Sequence, residues 1–454
     1  MTKGNPFPIM LSFALPLFLG NVFQQLYNII DSVVVGRAIG ANALAAVGAT
    51  VPLNFLILGF AMGLCSGLCI PVAQRFGAGD IPAMRAYIAN AAYLASVIGV
   101  IITVIAVLFT RPTLELLNTP PEIIDDAYDF IVVIFAGIPS IMFYNLLAGI
   151  LRALGDSKTP LYFLVVACII NAVADIVMIV GLGMGVGAAG IATVGAQTLS
   201  GFLCLFYMRK NFPVLTFSKD ELKPSLARMK TLASVGLPMA LQFSIIAIGS
   251  LILQWSVNGL GTIKVTAVTT ANRITQLTFM PLDTLGITMA TYCGQNLGAG
   301  KLDRIRKGVG IGIKTGLVYS VVAGVALAFL GQYMGMLFVS PKETAVLNDL
   351  VYFLRIVSVA YPTLAVLLVI RNSLQGMGFP LVPLGAGLLE MAARMFAALA
   401  LVKLWGFFAV CISAPMAWVG GDILLIPAYF VAIAKLKKRF ALPSTVVAQK
   451  AAES

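Results

Sequence analysis

The chain has 454 residues, 60% of them hydrophobic and only 11% charged, where a soluble domain carries about 25% charged residues. That deficit excludes an ordinary water-exposed surface, a disordered chain and a disulfide-built scaffold, while 43 glycines and 22 prolines exclude a long coiled coil. Thirty basic and 18 acidic residues leave a net charge of +12, and the absence of histidine removes the imidazole as base, proton relay or metal ligand.

A helix that crosses a bilayer needs about 20 mainly apolar residues. Apolar runs bounded by turn signals predict twelve such helices, at 9–36, 44–73, 83–110, 122–150, 160–183, 188–208, 231–258, 264–294, 305–331, 344–371, 381–404 and 406–434. The fold class is therefore an all-α polytopic membrane protein. The first run is too long for a cleavable leader and holds Pro16, Asn21, Gln24 and Asp31. Basic residues gather in alternate loops and span ends, including Arg75, Arg85, Arg152, Arg209, Lys210, Arg304, Arg306, Arg371, Lys437 and Lys438. This asymmetry predicts a multi-pass protein of the plasma membrane with both termini in the cytoplasm. The positive charge is thus topological, and no folded basic module is present to bind nucleic acid. The six cysteines, Cys65, Cys69, Cys168, Cys204, Cys293 and Cys411, lie in apolar runs and read as small packing residues.

The two halves repeat each other. Pro16 and Pro238 are 222 positions apart, Gly77-Ala78-Gly79 and Gly298-Ala299-Gly300 are 221 apart, and Pro139 and Pro362 are 223 apart. Gly155 and Gly378 also differ by 223, and Gly187 and Gly406 by 219. Six spans per half, an even number, make this a parallel repeat about an axis along the membrane normal. The expected organisation is an N-terminal lobe at 1–208, a cytoplasmic linker at 209–230, a C-terminal lobe at 231–436 and a basic cytoplasmic tail at 437–454. Two such lobes suit a transporter working by alternating access.

A charge at mid-span costs roughly 2.5–3.5 kcal/mol on insertion scales, so ionisable residues there should face protein or water and have partners. Asp31 lies inside the first span with Gln24, Tyr27 and Asn28 on the same face. Asn171 and Asp175 sit one turn apart on the fifth span, and Thr193 lies early in the sixth. Two carboxylates, an amide carbonyl and a hydroxyl would form an oxygen-rich site suited to a hard cation. The alternative is that Asp31 and Asp175 cap broken helices or pair with arginine. Glu390 and Arg394 fall at the expected repeat positions of Asn171 and Asp175, and a glutamate four residues before an arginine predicts an intrahelical ion pair. Asp283, Asp422, Arg273, Lys314 and Arg355 receive no role. No nucleophile–base set supports an enzyme.

Taken in order, several motifs resemble those of the multidrug and toxic compound extrusion (MATE) family. They are Pro16 followed by Asp31-Ser32 and Gly36, Ala45-Ala46-Val47, Gln74 to Gly79, and its echo Gln295 to Gly300. Arg152 to Pro160, Asn171-x-x-x-Asp175, Gly190-Ile191-Ala192-Thr193 and Glu390-x-x-x-Arg394 continue the likeness. The resemblance implies twelve helices in two pseudo-symmetric, V-shaped six-helix bundles. It implies Na⁺- or H⁺-coupled export of drugs or toxic metabolites, with no cofactor. A cation site of Asp31, Asn171, Asp175 and Thr193 carries over from one branch of that family. Another branch places acidic residues in helices seven and ten, where this chain has Gln242, Gln254 and Arg355. Gln24, Tyr27, Asn28, Gln242 and Glu390 are the candidate substrate contacts. The expected partners are small-molecule drugs and membrane lipids, for a monomer. The alternative transporter is a flippase for a lipid-linked sugar.

Overall fold

Several helices end at a left-handed glycine, among them those before Gly79, Gly155, Gly300, Gly378 and Gly406. The computed structural model describes residues 1–117 and 119–441. Its first helices are α1 (Pro6–Ala38), α2 (Ala41–Gly77), α3 (Ile81–Leu116), α4 (Ile124–Ala136), α5 (Ile138–Ala153), α6 (Lys158–Asp175) and α7 (Gly187–Asn211). They are followed by α8 (Leu226–Asn258), α9 (Thr262–Gly298), α10 (Leu302–Met336), α11 (Thr344–Val359), α12 (Tyr361–Gly376), α13 (Leu381–Phe396), α14 (Val402–Trp405) and α15 (Phe407–Ala441). A π-helical turn at Ile176–Gly181 extends α6, and another at Ala397–Leu401 joins α13 to α14. The described residues contain no strand. The fold is all-α, as the apolar runs predict.

Among the described residues, nine helical stretches are long and apolar enough to cross a bilayer, and two bent pairs bring the total to 11. The bent pairs are α4–α5, at 48°, and α11–α12, at 52°. Pro139 and Pro362 open the second helix of each pair, where proline removes a backbone donor and crowds the preceding turn. The remaining expected span is α9, 37 residues long but rich in threonine. The hydroxyls of Thr266, Thr284 and Thr288 donate to carbonyls one turn back at 2.8–2.9 Å, so the helix satisfies its own polar groups.

The turn motifs have local explanations. Gly79 and Gly300 take φ values of 72° and 68°, reversing the chain after α2 and α9. Asp156 then starts α6 by accepting from the amides of Lys158 and Thr159, both at 3.0 Å. Gly376 marks a close approach of α12 to α9: a Cβ there would come within 2.2 Å of the Ala290 carbonyl oxygen.

The contacts divide the chain into two compact units. One comprises 11–76 and 80–247, with α7 packed against α4, α5 and α6. The other comprises 1–10, 77–79 and 248 onward, with α12 packed against α9, α10 and α15. The end of the expected tail, 442–454, lies outside the described residues. The linker between α7 and α8 is strapped to α3. Arg85 Nε donates to Val214 O at 2.6 Å, and Tyr93 Oη donates to Leu222 O at 2.9 Å. The fully buried Asn90 accepts from the Ser225 amide at 2.7 Å. In the other unit, Arg304 of α10 donates to the carbonyls of Met1, Lys3 and Gly4.

The repeat register differs from the spacing expected around α6. Gly155 and Gly378, the starts of α6 and α13, and the left-handed Gly183 and Gly406 are each 223 apart. Gly406 therefore answers Gly183, not Gly187, because residues 184–186 have no counterpart before α15. Asn171 then answers Arg394, one helical turn away from the expected match with Glu390.

Candidate functional site

Three helices of the first unit converge on the predicted cation residues. Helix α1 contributes Gln24, Tyr27 and Asp31 from one face. Asn171 and Asp175 occupy the last turn of α6, just before the backbone widens into the π turn. Such turns occur often at functional sites, since they redirect side chains within a helix. Helix α7 contributes Thr193 and, one turn on, Gln197.

Tyr27 Oη donates to Thr193 Oγ1 at 2.5 Å, and Thr193 Oγ1 donates onward to Asp31 Oδ2 at 3.5 Å. The carboxyl groups of Asp31 and Asp175 adjoin each other. Asn171 and Asp175 are completely buried. Both Asp175 oxygens, Asp31 Oδ1 and both amide atoms of Asn171 lack a protein hydrogen-bond partner. Buried polar atoms are nearly always paired. Two adjoining carboxylates also repel unless a proton or a metal cation shares the site. The unpaired oxygens come from two carboxylates and one amide, the ligand set a hard cation prefers.

Gln24, Tyr27, Cys168, Thr193 and Gln197 line a cavity of about 10 Å³. That is about the room one water needs, far below the ~300 Å³ of a small drug pocket. Asn28 is exposed and does not line it. Gln242 is buried in α8 and engaged by its surroundings. Gln197, whose Oε1 is buried without a partner, was not among the predicted site residues. Its signal in the sequence is its place one turn after Thr193.

In the second unit the expected ion pair is exchanged for another. Glu390 pairs with Arg371 of α12, not with Arg394. Arg394 instead donates from Nη1 to Ser250 Oγ of α8 at 2.7 Å. The reason is burial: Arg371 is 6% exposed and needs a carboxylate, and α13 presents Glu390 to α12. The charge pattern places Arg371 at a span end, whereas its side chain is buried in the unit. Asp422 and Asp283 lie near its guanidinium, though neither forms an ion pair with it among the described residues. Arg273, Lys314 and Arg355 are exposed.

A family model described as MatE matches residues 16–177 and 238–413, well over half of the chain. The chain belongs to the MatE family. The two matched segments open at Pro16 and Pro238, the first pair of the internal repeat. Among MatE relatives, the chain is 29% identical over 351 residues to the probable multidrug resistance protein YoeA of Bacillus subtilis (strain 168), covering 76% of each. It is 27% identical over 404 residues to the probable multidrug resistance protein YpnP of the same bacterium, covering 89% of this chain and 90% of the other. The crystal structure of MATE in complex with MaL6 matches with a TM-score of 0.88 at 24% identity, over 96% of this chain and 98% of that one. That likeness concerns the fold. As a MatE member the chain is a multi-pass membrane transporter.

Proposed function

We propose that the protein is a cation-coupled multidrug efflux antiporter that exports amphipathic organic cations by alternating access. It works in the plasma membrane as a monomer with both termini in the cytoplasm, without a cofactor, and Na⁺ or H⁺ is the coupling ion. The observation that carries this reading is the buried oxygen cluster of Asp31, Asn171 and Asp175, with Thr193 beside it. Coupling requires a site whose charge changes as the ion enters, placed where an uncompensated charge is costly. Neutralising that cluster favours one arrangement of the surrounding helices, and drug binding favours another. The two ligands then compete through the protein without touching, and their coupling is reciprocal. The names of the Bacillus relatives support drugs as the transported class.

The flippase alternative has less behind it. Binding a pyrophosphate headgroup calls for several clustered guanidiniums, whereas Arg371 is committed to Glu390 and Arg394 donates to Ser250, which leaves Arg273 as an exposed mid-span arginine.

The test is transport of an ethidium-like dye in proteoliposomes under separately imposed Na⁺ and H⁺ gradients. Dye movement against its gradient under at least one of them is expected. Movement under neither, with active protein shown to be inserted, would contradict the proposal.

A further inference from the structure

Apolar surface and positive charge meet along the final helix. Between α15 and the start of α13 runs a groove of about 340 Å³ whose lining includes Phe379, Val382, Ile423, Pro427, Val431 and Lys435. Lys435 is the one charged residue in that lining. From Ile423 to Lys435 is 12 residues, roughly 18 Å of helix. One leaflet contributes about half of a ~30 Å hydrocarbon core, so the groove is about as long as a leaflet is deep.

The charge at its end is uncompensated. Lys435 is exposed and has no ion-pair partner among the described residues. No acidic residue occurs from Ile423 to Ala441, while Lys437, Lys438 and Arg439 follow on the same helix. A second groove, of about 450 Å³, adds Arg306 and Lys307 beside Tyr429 and Phe430, with Asp303 its one acidic residue. Positive charge is thus concentrated on the last turns of α15 and on the first turns of α10.

We infer that the groove between α13 and α15 is a binding site for one anionic phospholipid, with an acyl chain along Ile423–Val431 and the headgroup phosphate on Lys435. One lipid molecule supplies both things the surface lacks, an apolar chain of leaflet length and an anion at its end. A zwitterionic lipid fills the groove and offers a phosphate too, but brings its own cation, so the net charge at Lys435 stays uncompensated. On the topology proposed above, this end lies at the cytoplasmic leaflet, where anionic lipids and juxtamembrane basic residues attract each other. The binding claim stands apart from drug export, because it concerns retention of lipid and not transport.

The experiment is native mass spectrometry of the purified full chain supplied with phosphatidylglycerol or phosphatidylcholine. The wild type is expected to retain phosphatidylglycerol several-fold more than phosphatidylcholine. Lys435→Gln should remove that preference, and Lys435→Arg should keep it. Ala428→Phe, which fills the groove, should lower retention of both lipids. Equal retention of the two lipids by the wild type, a preference that survives Lys435→Gln, or full retention by Ala428→Phe overturns the site. Lys435→Gln and Ala428→Phe are compared with the wild type at matched melting temperature, so a folding defect cannot imitate the result.

Discussion

A guanidinium buried among apolar helices needs a carboxylate within reach, and for Arg371 that carboxylate is Glu390. Glu390→Gln leaves the charge uncompensated, a change that typically costs about 3–5 kcal/mol. Adding Arg371→Met should recover most of that loss, whereas Arg394→Met should cost about 1.5–3 kcal/mol, the worth of a charged group's hydrogen bond, here to Ser250, and should rescue nothing. Unfolding of the purified variants in detergent checks the order; a rescue by Arg394→Met instead would restore the intrahelical pair. The sequence conceals this partner change because Arg371 stands where an apolar run meets Asn372, as a span end would. Spacing along one helix reveals Arg394, but only the packing of α13 beside α12 reveals Arg371. The residues of the Asp31–Asp175 cluster are more conspicuous in the sequence, since each is polar inside an apolar run. Thr193→Ala should weaken Na⁺ dependence more than H⁺ dependence, because a hydroxyl can ligate a metal ion and adds little to a carboxyl proton. Equal loss under both gradients would assign Thr193 to positioning Tyr27.

At the scale of elements, turn chemistry was readable and helix irregularity was not. The Gly-Ala-Gly turns, Asp156 and the paired prolines each announce their role by residue type. The π turns at Ile176–Gly181 and Ala397–Leu401 carry no such mark, because their residues suit an α-helix equally well. The segment between α7 and α8 also straps α3. Asn90→Ala removes the buried acceptor of the Ser225 amide, and about 1.4 kcal/mol for that bond means roughly ten-fold faster hydrogen exchange at Ser225. Unchanged exchange there would show that the strap is held without Asn90. Glu221 belongs to the same strap. Its carboxylate accepts from the Ser218 amide and meets Arg85, and both hold it below the ordinary carboxylate range. A depressed pKa in the folded state stabilises above the unfolded value and is lost as pH falls through the folded one. Exchange in residues 218–225, corrected for intrinsic rates, should therefore rise as pH drops below the usual carboxylate range. In Glu221→Gln that dependence should disappear.

For the whole molecule, the number of apolar runs and their repeat were legible because membrane length and backbone satisfaction leave few other options. The register of the repeat was legible only in part, since three residues after Gly183 shift the spacing from 223 to 220 between the starts of α7 and α15. The assignment of α1 and α8 residues to units was not legible: each helix contributes its first residues to one unit and the rest to the other. No local signal marks residues 10 and 247 as those boundaries. The central claim is that charge in the Asp31–Asp175 cluster drives transport without forming the drug site. Its most direct test compares uphill dye efflux with equilibrium dye binding for Asp31→Asn and Asp175→Asn in the same proteoliposomes. The account predicts that each substitution abolishes gradient-driven efflux while dye binding stays near the wild-type level. Uphill efflux at the wild-type rate by both variants would contradict it.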